Sequence, residues 1–448
     1  MTSPAPARLF GTDGVRALAN GDVLTPELAL AVARSAAHEL LARRSAPGRP
    51  LAVIGRDTRP SGPMLEAAAA AGFASAGVDV RLLGVVPTPL VAHACARGGV
   101  DLGLVVSASH NAMPDNGLKL FGPGGWKLPD DVEVALEAGL GAARERPTGT
   151  DLGSIEPAHG ETDAYVADLL ESVTARPEGL RVVVDCAQGA ASSLAPEVYR
   201  RAGADVVAIA ADGNGAQIND GSGATHLELV RAAVLEHGAD LGLAHDGDAD
   251  RQAAVDATGE VVDGDQLLAL LAVGRKERGR LPDATVVATV MSNLGFLRAM
   301  EREGIAVVQT AVGDRYVLEA MRAGGHLLGG EQSGHTVQLD HGTTGDGLLT
   351  GLSVLGRMAE TGRSLAELAA VMHRLPQVLV NVRAERSRAQ DADVLDAVAR
   401  EQEQLGGSGR LLLRPSGTEP LVRVMVEAET PEQAEAVAQR LAAVVGGS

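Results

Sequence analysis

Aromatic residues are nearly missing: among 448 residues there are four Phe, three Tyr and one Trp. Proteins that grip single-stranded nucleic acid stack bases on exposed rings, and this chain has few to offer. Positive charge is short as well, with 39 basic residues against 58 acidic ones and a formal net charge of −19. Such a surface repels a phosphate backbone, which argues against DNA or RNA as a partner. The same excess favours solubility, and it means that any phosphorylated substrate needs a locally positive pocket. Cysteine is limited to Cys95 and Cys186, without metal-ligand spacing. Both read as small core residues near strand ends, not as a disulfide framework. No uninterrupted apolar run reaches the roughly 18 residues of a membrane-spanning helix. Met1 to Phe10 holds no apolar stretch of signal-peptide length. A soluble, cytoplasmic protein with no membrane partner is the expectation.

The composition that remains is that of an ordinary globular protein, 45% hydrophobic and 22% charged. The chain exceeds the about 250–300 residues at which one core stops growing, so several domains are expected. Short runs rich in Val, Ile and Leu alternate with helical spacings, which reads as α/β. Residues 1–152 carry strands at 51–55, 80–83 and 102–106. Residues 153–257 carry strands at 182–185, 206–209 and 241–244, with a capping-box pattern at Thr225 and Glu228 before a helix. Residues 258–373 repeat the style with strands at 285–289, 306–310 and 326–328. Residues 374–448 differ: strand, helix, strand, strand, helix, with Val422, Val424 and Val426 on one face and Arg423 on the other. Four units follow, three α/β and a final α+β one, with no close internal sequence repeat.

Polar loops follow a strand in each unit, where open α/β sheets gather ligands. Asp246, Asp248 and Asp250 alternate, and a kink at Gly247 would turn all three carboxylates toward one hard cation. Mg²⁺ suits such oxygens beside a phosphate; a solvated acidic turn or a Ca²⁺ site is the alternative, and the EF-hand spacing is absent. Arg251 next door suits a phosphate better than a bare cation. Ser109, with His110 beside it, has the form of a nucleophile or of a self-satisfied turn, and it lacks the G-x-S-x-G elbow. Lys119 is a candidate acid or base. Glu331, Ser333 and His335 are groups that hold sugar hydroxyls and move protons. Arg414, Ser416, Gly417 and Thr418, with Arg423 nearby, form a candidate phosphate cradle.

These motifs, together with Phe10-Gly11-Thr12-Asp13-Gly14-Val15-Arg16, resemble the α-D-phosphohexomutase superfamily over essentially the whole chain. Within it the chain is similar to the bacterial phosphoglucosamine mutases, through Gly330-Glu331-Gln332-Ser333-Gly334-His335 and Thr343-Thr344-Gly345-Asp346-Gly347. The resemblance implies four domains around a central cleft. It implies a phosphoserine at Ser109 that binds Mg²⁺ with Asp246, Asp248 and Asp250. It makes Glu331 and Ser333 sugar contacts, and Arg414, Ser416, Gly417 and Thr418 the distal phosphate site. It puts Arg16, His110, Lys119, Arg251 and His335 close to the reacting groups, with Lys119 and His335 the better candidates for proton transfer. The implied partner is a small hexosamine phosphate, and a homo-oligomer is compatible with the sequence. Ala112 departs from the pattern, since many members have Pro there, and this bears on the rigidity of the serine loop. The readings that compete are a glucose or mannose phosphate mutase, a phosphatase, and a non-catalytic sugar-phosphate sensor, for which a nucleophile would be superfluous.

Overall fold

The computed structural model describes residues 8–11, 13–44, 47–415 and 420–447. Two compact units are present: residues 1–290 with 305–369, and residues 291–304 with 370–448. Among the described residues no helix is long and apolar enough to cross a membrane.

The first unit holds three sheets built on one plan. In the six-stranded sheet the buried strand Leu51–Arg56 runs parallel to Asp79–Val85 and to Leu102–Val106, and Leu102–Val106 pairs antiparallel with Asp115–Phe121. In the five-stranded sheet Arg181–Asp185 is parallel to Leu241–His245, which pairs antiparallel with Gln252–Asp256. In the four-stranded sheet Thr285–Thr289 is parallel to Leu328–Gly330, which pairs antiparallel with Thr336–Gln338. Each time a short loop leaves the strand at which parallel pairing gives way to antiparallel pairing. Those loops are the ones holding Ser109, the three aspartates, and Glu331 with His335. The repeat is one of topology, which sequence comparison of the units does not reveal.

Local chemistry explains most boundaries. The helix Pro26–Leu41 starts where Thr25 accepts a hydrogen bond from the Leu28 N–H, with Pro at the first position. Its apolar face joins Leu65, Phe73, Ile54 and Leu104 in the core of the first sheet. The expected capping box at Thr225 is not formed. Glu228–His237 begins with Leu227 as the cap, and Thr225 lies instead within the turn closed by the His226 N–H on the Gly223 carbonyl. The capping box that does form joins Asp263 and Gln266 ahead of Gly264–Glu277. Cys186 follows a strand as expected, but Cys95 lies on the helix Thr88–Ala96.

The second unit is a three-stranded antiparallel sheet, Gln377–Arg383, Leu421–Glu427 and Arg410–Pro415, backed by Ala392–Leu405 and Pro431–Gly446. Val422, Val424 and Val426 form its core with Val394, Val437 and Leu441. The helix Leu294–Arg302 belongs to this unit, anchored where buried Glu427 accepts from the Leu294 N–H at 2.9 Å.

Candidate active site

Ser109 leaves the strand Leu102–Val106 with its backbone in the left-handed region, φ +52°, and is fully buried. A non-glycine residue held there costs about 1–3 kcal/mol, so something must outweigh the strain. Arg59, itself wholly buried, does so. Its Nη2 donates to the Ser109 and Asn111 carbonyls at 3.0 and 2.7 Å, and its Nη1 to the Ala112 and Asp115 carbonyls at 2.5 and 2.9 Å. Its Nε donates to Asp57, which also accepts from Ser107, and the Ser107 oxygen in turn accepts the Ser109 N–H. Each charge-assisted bond is worth about 1.5–3 kcal/mol. The loop is therefore held rigidly with Ala112 in place of proline, since Arg59 supplies the constraint.

The Ser109 hydroxyl donates to Asp246 at 2.5 Å and lies 3.3 Å from His110 Nδ1. Asp246, Asp248 and Asp250 are buried, and each offers an oxygen within 4.8 Å of the others. The turn that gathers them falls at Ala249, φ +56°, and not at Gly247 as expected. Burial, then the neighbouring Asp250 and Asp248, push the Asp246 carboxyl up to about 8. Oxygens Asp248 Oδ1 and Asp250 Oδ1 are buried without a hydrogen bond. Three crowded carboxylates with unsatisfied oxygens, next to a serine hydroxyl, fit a hard divalent cation.

Lys119, on the strand Asp115–Phe121, is 2% exposed and lies 2.8 Å from Asp248, 3.1 Å from Asp250 and 3.0 Å from Asp13. Burial alone would lower its pKa, but Asp13, Asp248 and Asp250 outweigh that and hold the ammonium charged. The ion pairs continue into a closed ring. Asp13 also pairs with Lys127 and Arg16, Lys127 with Asp314, Asp314 with His335 at 3.4 Å, and His335 with Asp250 at 3.7 Å. When the imidazole is neutral, the Gly345 N–H donates to His335 Nε2 at 3.1 Å, which puts the ring proton on Nδ1, facing Asp250. Burial lowers the His335 pKa less than Asp250 and Asp314 raise it. His110 goes the other way: burial, then Arg251 and Arg16, bring it down to about 4. Arg16 and Arg251 each keep a buried Nε that makes no hydrogen bond, the Arg251 Nε lying 3.8 Å from Asp250.

Glu331 is half-buried and accepts from the Gly313 N–H at 3.1 Å, while Ser333 is exposed. In the second unit, Arg414 and Arg423 are register partners on adjacent strands. No acidic partner for either is found among the described residues, and Arg423 Nε is buried and unbonded. Ser416, Gly417 and Thr418 lie outside the described residues. The first unit thus brings together Arg16, Ser109, His110, Lys119, the aspartate triad, Arg251 and His335. Asp13, Lys127, Asp314, Arg59 and Asn219 were missed. The alternating-charge spacing of Asp246 to Asp250 has no counterpart at these positions, and each meets its partners only through the fold.

Comparison with known proteins places the chain among relatives. Profiles of the phosphoglucomutase/phosphomannomutase alpha/beta/alpha domains I, II and III match residues 7–146, 163–259 and 263–375, and the C-terminal domain of that family matches 379–444. A phosphoglucosamine mutase of Frankia casuarinae is 63% identical over 447 residues, 98% of both chains. One of Streptomyces avermitilis is 58% identical over 446 residues, with the same coverage. Among solved structures, a phosphoglucomutase/phosphomannomutase family protein of Burkholderia thailandensis aligns with TM-score 0.81 and 26% identity, covering 98% of this chain and 97% of that one. An N-acetylphosphoglucosamine mutase of Aspergillus fumigatus, in complex with GlcNAc-6P and magnesium, shares the fold at TM-score 0.64 and 19% identity, covering 98% and 95%.

Proposed function

The chain belongs to the phosphoglucomutase/phosphomannomutase family, an intramolecular phosphotransferase, and on that premise we propose how it interconverts glucosamine 6-phosphate and glucosamine 1-phosphate. The observation that carries the reading is the 2.5 Å contact of the Ser109 hydroxyl with Asp246 at the mouth of a buried carboxylate triad. Relatives with that activity in their names are 58–63% identical over 97–98% of this chain, which supports the amino sugar as substrate. Residues 1–152, 153–257, 258–373 and 374–448 are the proposed working divisions, with Ser109, the aspartates, Glu331 and the arginine pair one to each.

Ser109 carries the phosphoryl group. When the sugar hydroxyl attacks, the Ser109 Oγ–P bond breaks and a sugar O–P bond forms. The hydroxyl proton passes to a neutral imidazole, for which the low pKa of His110 suits it better than His335. Lys119, charged and within the triad, gives a proton to the departing Ser109 oxygen. The bisphosphorylated sugar turns over, Ser109 attacks the other phosphate, and the two protons retrace their paths. Asp246, Asp248, Asp250 and a Ser109 phosphate oxygen would hold Mg²⁺, which would supply charge neutralisation to the moving phosphoryl group. Arg16 and Arg251 present guanidinium groups to the same oxygens. Glu331 and Ser333 orient sugar hydroxyls, and Arg414, Ser416, Gly417, Thr418 and Arg423 hold whichever phosphate is distal. Positioning and charge, not covalent activation, do most of the work in such transfers.

Mass spectrometry of the purified chain tests the reading, with phosphate expected on Ser109. Ser109→Ala should abolish interconversion with the fold intact. A phosphate-free Ser109 in an active preparation, or turnover by Ser109→Ala, would refute it.

A further inference from the structure

We propose that Arg59 and Asn219 are positioning residues for phosphoryl return, a claim that rests on Ser109 being the carrier. The Ser109 carbonyl accepts two hydrogen bonds, from Arg59 Nη2 at 3.0 Å and from Asn219 Nδ2 at 2.9 Å. The Asn111 carbonyl accepts from the same two side chains, at 2.7 and 3.0 Å. All five N–H donors of Arg59 are engaged, four on the serine loop and one on Asp57. This fork is planar and rigid, so it fixes the two carbonyls in relation to each other.

Asn219 adds something Arg59 cannot. It sits in the segment between the strands Asp205–Ile209 and Leu241–His245 of the five-stranded sheet, from which the aspartate loop leaves, and its own N–H bonds the Ala187 carbonyl. Its side chain therefore ties the backbone of the serine to the structure that holds the carboxylates. Asn219 takes up a left-handed conformation, φ +58°, which asparagine tolerates better than most residues. It is 6% exposed, and Nδ2 is spent entirely on the two serine-loop carbonyls.

The chemistry places a particular demand on this tie. The serine must transfer a phosphoryl group, wait while the bisphosphorylated sugar turns over, and then accept the other phosphate. During that interval the bare hydroxyl has no covalent link to the substrate, and the loop, together with the hydrogen bond to Asp246, keeps it in line with the triad. A loosened loop would slow return, let the bisphosphorylated sugar escape, and leave the enzyme dephosphorylated.

The test uses Asn219→Gly, which removes the amide while keeping the positive φ easy to adopt, and Arg59→Lys, which keeps a cation beside Asp57 but removes the fork. Interconversion of the two glucosamine phosphates is followed with and without added hexosamine 1,6-bisphosphate. We expect kcat to fall about 10- to 100-fold, the range for a small misplacement of a reacting group, with KM little changed. Added bisphosphate should restore much of the lost rate, more so in the variants than in the parent. A merely structural role would lower kcat without creating that dependence, and this outcome overturns the proposal, as does parental behaviour of Asn219→Gly. Ser109→Ala is run alongside: if it still turns over, the carrier assignment fails, whereas a dead Ser109→Ala beside bisphosphate-independent variants sinks only the tie.

Discussion

Gly247 presses its backbone against the Ser109 carbonyl: a Cβ built on Gly247 would lie 2.6 Å from that oxygen. It would also meet Asn219 Nδ2 and Ile218 Cδ1 at 3.0 Å. The metal loop and the serine loop thus approach as closely as backbones can, and glycine is required for contact, not for an unusual φ.

Gly247→Ala is accordingly expected to separate the two loops. Overpacking of this kind costs about 1–3 kcal/mol of stability, and displacement of Ser109 from the triad should lower kcat about 10- to 100-fold. Thermal denaturation and steady-state rates on the same preparation measure both. A variant with parental kcat would mean the loops are free to part without consequence.

Metal affinity should depend on pH with a definite sign. Burial and the flanking Asp250 and Asp248 push the Asp246 carboxyl up to about 8 in the metal-free chain. Below that pH a proton occupies a ligand oxygen and must leave when a cation binds. Mg²⁺ should therefore bind more tightly as pH rises, by up to about tenfold per unit below pH 8, and level off above it. Calorimetric titrations at several pH values would settle the matter, and an affinity flat from pH 6 to 8 would contradict it. Chelation should abolish interconversion reversibly.

How much of this was legible beforehand follows from how residues find their partners. The strands Leu102–Val106 and Thr285–Thr289 are short, fully buried runs centred on Val and Leu, and the sequence pattern predicts their ends. The strand bearing Lys119, Asp115–Phe121, was not read as one, because it begins Asp-Asn-Gly, the composition of a turn. Its polar residues are buried in bonds made at long range, as when Asn116 donates to Ser61. The charge ring was hidden for the same reason: Lys127 meets Asp13 and Asp314 across 114 and 187 residues of chain. Local spacing reveals the aspartate triad; only folding reveals what neutralises it.

Both cysteines should be inert in the native protein. Burial pushes the Cys95 thiol up to about 12, and that of Cys186 higher still, leaving almost no thiolate near neutral pH. An aromatic disulfide reagent at pH 8 should find no reactive thiol until denaturant is added, then two. Rapid modification of the native chain would mean that one of these helix or strand ends opens readily.

The arginine pair of the second unit makes the most discriminating prediction, because it should act oppositely on binding and on stability. Arg414 and Arg423 face each other across adjacent strands. Burial and the charge of Arg423 both lower the Arg414 pKa. Like charges directly opposite in a sheet are destabilising by about 0.2–1 kcal/mol, so the pair is a poor choice for the sheet alone and a good one for an anion. Whichever phosphate is distal is held in ground and transition states alike, so losing a contact to it should raise KM more than it lowers kcat. Arg423→Gln should then raise KM for both glucosamine phosphates about tenfold, equivalent to about 1.4 kcal/mol of binding, while the substrate-free chain keeps or gains stability. A loss of stability with KM unchanged would instead make the pair part of the sheet's own packing and remove it from the phosphate site.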